Sequence, residues 1–395
     1  MCLITVAIDA RLRSGQVDGV ARFAKGLAVA LSRVPIDRIR IVWIVGSDHS
    51  WLEDSLRDGD AVVVNPAILA GSDGLWVSAG NEPAAKLALL RGVQNRSDDP
   101  RLPRSPVELA EFNVDVIHFL SQDAFVTDIP SIYHPHDMQH AAFPQFFDTA
   151  TIGWRELAWR TYAGQAAVVC VAAPHVRDEV AKHWPETTGS IRVLSLESMA
   201  LDVSSKSMSA RSELPFLDAD LDAPFVLYPA GLWPHKNHVR LIEAFIRAVG
   251  LGGEARLLLT GFELDPAGII TATIELLGAK DVVCCLGRVS EATLAHLYAK
   301  AVAVVLPSVY EAGSFPLLEA KRSGIRVAAS DISAHRARGH AVAAWFDPFD
   351  VDDMASAITC IFADADTIGA SQRLVASGPS GAEEFVELYE WVSGC

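Results

Sequence analysis

Glu311 and Glu319 stand eight positions apart, framing a loop of small residues, EAGSF, that runs into Pro316. Proline is favoured at the first position of a helix. The N–H groups of a helix start lack partners and lie at the positive end of the helix dipole, so such a start holds anions, phosphate above all. Two acids beside an anion site make sense if they accept hydrogen bonds, and sugar hydroxyls are suitable donors. Lys236 precedes Asn237 in WPHKNHVRL, where Asn237 is expected to cap a helix. A cation at a helix N-terminus opposes the dipole and calls for a compensating anion. A ligand that meets these demands has a diphosphate in the middle and hydroxyl-rich groups at both ends, the layout of a nucleotide sugar. The plainer alternative leaves Glu319 as an ordinary first-turn acid, Glu311 as a solvated loop residue and Lys236 as a surface lysine.

A second cluster lies in the N-terminal half, in SIYHPHDMQH. His134, His136 and His140 are spaced i, i+2, i+6, with Asp137 among them. Zinc sites use His and Asp. Pro135 stiffens the run, however, and a polar strand end beside a cleft is also where catalytic groups gather. His118, inside the apolar DVIHFL, reads as a core histidine with a satisfied hydrogen bond. Gly15 and Gly19 lie in the loop between the first strand and the first helix. They do not form G-x-G-x-x-G, so a phosphate loop and a plain tight connection both fit.

These residues need strands and helices to position them. Leu3 to Ile8, Ile39 to Val45, Asp115 to Leu120, Ala166 to Ala172 and Ile191 to Leu194 are apolar runs suited to buried parallel strands. Val20 to Leu31, Ala84 to Gly92, Trp154 to Tyr162 and Pro174 to His183 read as helices between them. The alternation restarts at Phe225 to Tyr228 and continues through Arg256 to Thr260, Val282 to Leu286, Ala301 to Leu306 and Ile325 to Ala329. Helices are expected at Asp265 to Leu277, Glu291 to Ala299, Pro316 to Ser323, Asp350 to Phe362 and Glu383 to Val392. The aperiodic, Ser- and Asp-rich stretch between the two series is a linker. The expected division is 1–200, a first lobe; 201–222, the linker; 223–380, a second lobe; and 381–395, a last helix. Each lobe reads as an α/β Rossmann-like unit, the two facing a cleft.

Composition narrows the functional classes. The 395 residues carry 49 acids against 33 bases, a formal charge of −16, which argues against non-specific nucleic-acid binding. The six cysteines form no C-x-x-C and read as small buried hydrophobes in a reducing, cytoplasmic setting. MCLITVAIDARL lacks the pattern of a signal peptide, which disfavours a periplasmic binding protein. No apolar stretch reaches the length of a membrane span.

PSVYEAGSFPLLEAKRSG resembles the E-x7-E signature of retaining glycosyltransferase family 4, whose loop reads roughly E-G-F-G-L-P; Ala312 and Ser314 depart from it. DGVARFAKG is similar to the family's G-G-[VI]-x-R-[YF] opening, with Asp18 in place of the first glycine. HPHDMQHAAFPQFF resembles the family's H-D-x-x-H-x-x-[FY]-P-x-x-F segment. The resemblance implies the GT-B fold, with 1–200 binding the acceptor, 223–380 the nucleotide sugar and the helix at 381–395 crossing back to the first lobe, where Trp391 is expected to pack; it also implies metal-independent chemistry, so the acidic DADLDA is not read as a metal motif. It implies His136 over the donor sugar and Lys236 on the diphosphate, aided by Gly313, Ser314 and Phe315. Glu311 would then read the donor sugar and Glu319 the ribose, with Gly15 and Gly19 facing the cleft. The family usually has an arginine six positions before this lysine; here that position is Ala230, and Arg288 or Arg240 is the expected substitute. The implied partners are a nucleotide sugar, with GDP-mannose favoured, and a glycan or lipid-linked acceptor of bacterial surface polysaccharide synthesis, compatible with peripheral contact at the inner membrane face. A nucleotide-sugar 2-epimerase and a non-catalytic nucleotide-sugar-binding homologue are the competing readings.

Overall fold

The computed structural model describes residues 3–12, 16, 18–66, 102–187, 190–194, 223–261, 268–338, 342–363 and 381–395. Gly15, the expected helix at 84–92 and the linker at 201–222 lie outside them. The chain divides into two units, 1–199 with 378–395, and 200–377.

The first unit is a parallel sheet of seven strands: β1 (Ile4–Ala10), β2 (Ile39–Val45), β3 (Ala61–Val64), β4 (Val116–Phe119), β5 (Ser131–Tyr133), β6 (Val168–Val171) and β7 (Ser190–Val193). Their order is β3-β2-β1-β4-β5-β6-β7. β1 is buried along its whole length, as a strand covered on both faces must be. Helices α1 (Gly19–Leu31), α2 (Gln139–Ala142), α3 (Thr149–Gln165) and α4 (Pro174–His183) belong to this unit. Asp18, the residue standing in place of glycine, caps α1: its Oδ1 accepts from Ala21 N at 3.0 Å.

The second unit holds six parallel strands: β8 (Phe225–Pro229), β9 (Arg256–Thr260), β10 (Val283–Gly287), β11 (Ala303–Leu306), β12 (Arg326–Ser330) and β13 (Val342–Phe346). They run in the order β10-β9-β8-β11-β12-β13. Its helices are α5 (His238–Val249), α6 (Ile269–Leu276), α7 (Glu291–Lys300), α8 (Phe315–Ser323), α9 (Ser333–Arg336) and α10 (Val351–Ala363). Gly261, after β9, has φ +148°, and a Cβ there would lie 2.4 Å from the Ala230 carbonyl oxygen. Only glycine lets the loops after β8 and β9 pass so closely.

The last helix, α11 (Gly381–Ser393), packs within the first unit. Phe385 and Tyr389 are fully buried, and the Tyr389 hydroxyl lies 2.8 Å from His118 Nδ1. Arg38 reinforces the contact through Glu383 and Glu390, both at 2.9 Å. Trp391, expected to pack there, does so through the Arg192 guanidinium stacked on its ring, while staying 52% exposed. The cysteines also depart from expectation: Cys170 is buried, but Cys285, Cys360 and Cys395 are exposed.

In both sheets the winding reverses once, between β1 and β4 and between β8 and β11. At such a reversal the connections leave in opposite directions and open a crevice beyond the strand ends, the usual ligand position in these sheets.

Candidate functional site

The loops after β8 and β11 meet at the reversal point of the second sheet. Lys236 ends a short 3-10 turn, Pro234–Lys236, and Glu311 lies in the loop after β11. Lys236 Nζ is 2.5 Å from Glu311 Oε1, and their side chains are 15% and 11% exposed. Burial pushes the Glu311 carboxyl up, but the charge of Lys236, with His335 and His235, outweighs it and holds the acid at about 2. Burial and the neighbouring Lys236 lower His235 to about 3, so it is neutral near pH 7 and adds its charge only in acid.

Two buried hydroxyls fix this pair. Ser308 Oγ donates to Glu311 Oε1 at 2.7 Å. The Tyr228 hydroxyl is 3.0 Å from both Ser308 Oγ and the Lys236 carbonyl oxygen, its one proton serving one or the other. Ser330 Oγ, at the end of β12, donates to the Ser308 carbonyl at 2.6 Å. Neither Tyr228 nor Ser308 carries a sequence signal of its own, because a tyrosine in a strand and a serine in a loop are common.

Asn237 does not cap α5 through its side chain. Its backbone is left-handed, φ 61°, and its carboxamide donates to Pro307 O at 3.0 Å and Pro348 O at 2.7 Å. One side chain thereby ties the loops after β8, β11 and β13. Asparagine tolerates this backbone region better than most residues.

Ser314 is the N-cap residue of α8, with φ 44°, and is 4% exposed. Its Oγ is buried without a hydrogen-bond partner. A buried hydroxyl left unmet is costly, and here it sits at an anion-attracting helix start. Gly313 is buried beside it, and Phe315, half-buried, is the first helical residue. Glu319 lies in the second turn of α8, not the first, is fully buried, and accepts from the Tyr298 hydroxyl at 2.9 Å.

Arg288 is exposed just beyond β10, two strands from β8, which is roughly 10 Å at the usual spacing. Arg240 is engaged elsewhere: Nη1 donates to Asn237 Oδ1 at 3.0 Å, and the guanidinium lies 5.5 Å from the Phe349 ring centroid. Ala230 is buried at the end of β8.

His136 follows β5, next to the reversal between β1 and β4 in the first sheet. It has φ 60°, and the Asp137 N–H closes back to the Pro135 carbonyl at 2.7 Å around it. This tight turn is strained for a residue with a side chain, and such strain clusters at functional sites. Its Nε2 donates to the Leu120 carbonyl at 2.7 Å, beyond the end of β4. The neutral ring therefore keeps a lone pair on Nδ1. Burial lowers its pKa, and Asp137 and Asp18 partly oppose that. His118 and His134 lie beneath, their Nε2 atoms 2.8 Å apart. Burial lowers both, His118 to about 3. His134, His136 and His140 thus have separate partners and form no single metal cluster. Gly19 is exposed as the first residue of α1. Sequence reasoning passed over Arg11 and Asp9, which form a bidentate pair at 2.7 Å where β1 ends; the polar DAR after an apolar strand was the available signal.

Residues 211–376 match the family model described as Glycosyl transferases group 1. An MMP alpha-(1->4)-mannosyltransferase of Mycolicibacterium hassiacum is 29% identical over 134 residues, which are 33% of this chain and 31% of that protein. The match thus spans about a third of that relative's length. Sucrose-phosphate synthase from Thermosynechococcus elongatus superposes with a TM-score of 0.65 at 16% identity, covering 99% of this chain and 96% of that one. Anabaena HepE in complex with UDP and glucose gives 0.63 at 16% identity, covering 99% and 97%. The lipopolysaccharide glycosyltransferase WaaG gives 0.58 at 13% identity, covering 98% of each. No helix among the described residues is long and apolar enough to cross a membrane. The chain has the GT-B fold of these glycosyltransferases, and the stretch that matches the group 1 family falls wholly within its second unit.

Proposed function

We propose that the chain is a retaining glycosyltransferase of family 4 that moves a hexose from a nucleoside-diphosphate sugar to a glycan or lipid-linked acceptor. The observation that carries this reading is the convergence of Lys236, Glu311 and the α8 start, with its unmet Ser314 hydroxyl, at the reversal point of the second sheet. A diphosphate laid there meets the ammonium and the backbone N–H groups of Gly313 to Phe315, with no metal required at the phosphates. The sugar C1–phosphate oxygen bond breaks while a bond forms between C1 and the acceptor oxygen on the same face. The acceptor proton passes to the departing phosphate oxygen, and no protein nucleophile takes part. Each well-placed donor to the phosphate contributes about 3 kcal/mol as charge develops. Glu311 accepts from sugar hydroxyls, Glu319 from the ribose, and His136 Nδ1 from the donor sugar. The mannosyltransferase relative supports a mannose-type donor, GDP-mannose first, and the resemblance supports a role in bacterial surface polysaccharide synthesis on the cytoplasmic side.

Ala230, which lacks the family's arginine, favours a second reading, a nucleotide-sugar-binding homologue without turnover. One experiment separates the two. The protein is incubated with a panel of nucleotide sugars, its melting temperature is recorded, and released nucleotide and product anomer are followed by NMR. Transfer with retained anomeric configuration supports the enzyme; a melting shift without transfer supports the binding protein.

A further inference from the structure

The first unit contains a group of ligating side chains apart from His136. His140 on α2, Glu156 on α3 and His183 at the end of α4 come from three separate helices and converge. His140 Nε2 is 2.9 Å and His183 Nε2 2.7 Å from the same oxygen, Glu156 Oε1. Among the described residues, the other carboxylate oxygen, Oε2, has a single long contact, 3.4 Å from Trp184 Nε1. Two imidazoles seeking only hydrogen bonds would do better with one oxygen each. Here both point at one, and the three ligand atoms all lie within 4.8 Å of one another. In a tetrahedral zinc site the ligand atoms stand roughly 3.3 Å apart, from metal–ligand distances near 2.0–2.1 Å. Small side-chain adjustments reach that geometry. The His140 side chain is fully buried, while His183 and Glu156 are 38% and 32% exposed, which leaves an entry path and an open fourth position for water. Trp159 lies edge-on to His140, 5.3 Å between ring centroids, and walls the inner side.

We propose that His140 Nε2, His183 Nε2 and Glu156 Oε1 bind one first-row divalent transition-metal ion, zinc by preference, as a clamp joining α2, α3 and α4. Imidazole and carboxylate suit this class of ion, and magnesium or calcium would want more oxygens. Both rings ligate as neutral imidazoles with the proton on Nδ1. His140 Nδ1 is buried without a partner, so the site lacks the usual supporting hydrogen bond and binds more weakly than closed structural zinc sites. The ion is structural: it fixes the chain four residues beyond His136, independently of the proposed transfer chemistry.

The test uses the full chain, free of any polyhistidine tag and stripped with a chelator. Zinc chloride is titrated in by calorimetry, and cobalt is added separately for its visible spectrum. Expected are one equivalent of zinc, a melting-temperature rise of at least about 5 °C at hundredfold excess over Kd, and a cobalt spectrum of low coordination number. His183→Ala, at an exposed position, should bind at least about tenfold more weakly while its circular dichroism is unchanged; Glu156→Gln serves as a second variant. Wild-type protein that binds no zinc, or variants that bind as tightly as wild type, would overturn the proposal. Transferase activity plays no part in the readout, so failure here leaves the proposed function untouched.

Discussion

Lys236 Nζ and Glu311 Oε1 lie 2.5 Å apart, each in a loop leaving one of the two strands that flank the reversal in the second sheet. The ion pair is nearly buried, which makes it a poor device for stability: desolvation cancels much of its attraction. On the proposed reading it holds a cation for the phosphate and a carboxylate for the sugar hydroxyls. A bound nucleotide sugar must share or part the pair, so the two residues should separate when ligand binding and turnover are measured independently.

Glu311→Ala should cut sugar transfer by at least about a hundredfold, because it removes the acceptor for the sugar and leaves Lys236 without its guide. Nucleoside-diphosphate affinity should stay within a few-fold of wild type, since the phosphate contacts remain. Steady-state kinetics beside calorimetry with GDP check this; equal losses in both would count against Glu311 as the sugar reader.

Ser308 and Tyr228 position Glu311 and Lys236 and, on this account, touch no substrate. A hydrogen bond to a charged group contributes about 1.5–3 kcal/mol, so Ser308→Ala should lower kcat roughly tenfold or more with little change in KM. Ser308→Thr, which keeps the hydroxyl, should recover most of the loss. A Ser308→Ala enzyme with wild-type kcat would show that the pair needs no support from this hydroxyl.

The buried histidines give the first unit a pH dependence. Burial lowers His118 from 6.5 to about 3, and lowers His134 and His136 in the same sense. The folded state therefore holds neutral rings that the unfolded chain protonates near 6.5. Their contribution is fully present above that pH and fades as pH falls toward 3. His118 alone should cost about 1.4 kcal/mol per pH unit in that window. Thermal unfolding at pH 7.5 and 5.0 should show a clear loss at the lower pH, reduced in His118→Phe. An equal melting temperature at the two pH values would contradict the neutral, buried assignment.

The architecture was legible because parallel strands covered on both faces are continuous apolar runs. AVVL before the E-x7-E loop and ITVAIDA near the start are examples. β13 escaped notice: VAAWF is half-exposed and short, so neither periodicity nor hydrophobicity sets it apart. The acids and the lysine announced themselves through charge beside a helix start. What they touch did not, since that depends on loops distant in sequence meeting at the sheet reversal. Asn237 shows the difference: residue type suggested a cap, whereas tertiary structure supplied two carbonyls that its carboxamide bridges. Trp391 meets the first unit as the family likeness implied, but by stacking on Arg192 rather than by burial. Glu156 carried no signal at all, as its partners lie 16 and 27 residues away.

The central claim is that Lys236 and the α8 start grip the diphosphate of a nucleotide sugar. Calorimetric titration of GDP and GDP-mannose into wild type and Lys236→Ala tests it most directly, alongside kcat for transfer. The account predicts saturable wild-type binding, affinity at least about tenfold weaker in the variant, and turnover reduced by a similar factor or more. Equal affinity and equal turnover in the two proteins would contradict it.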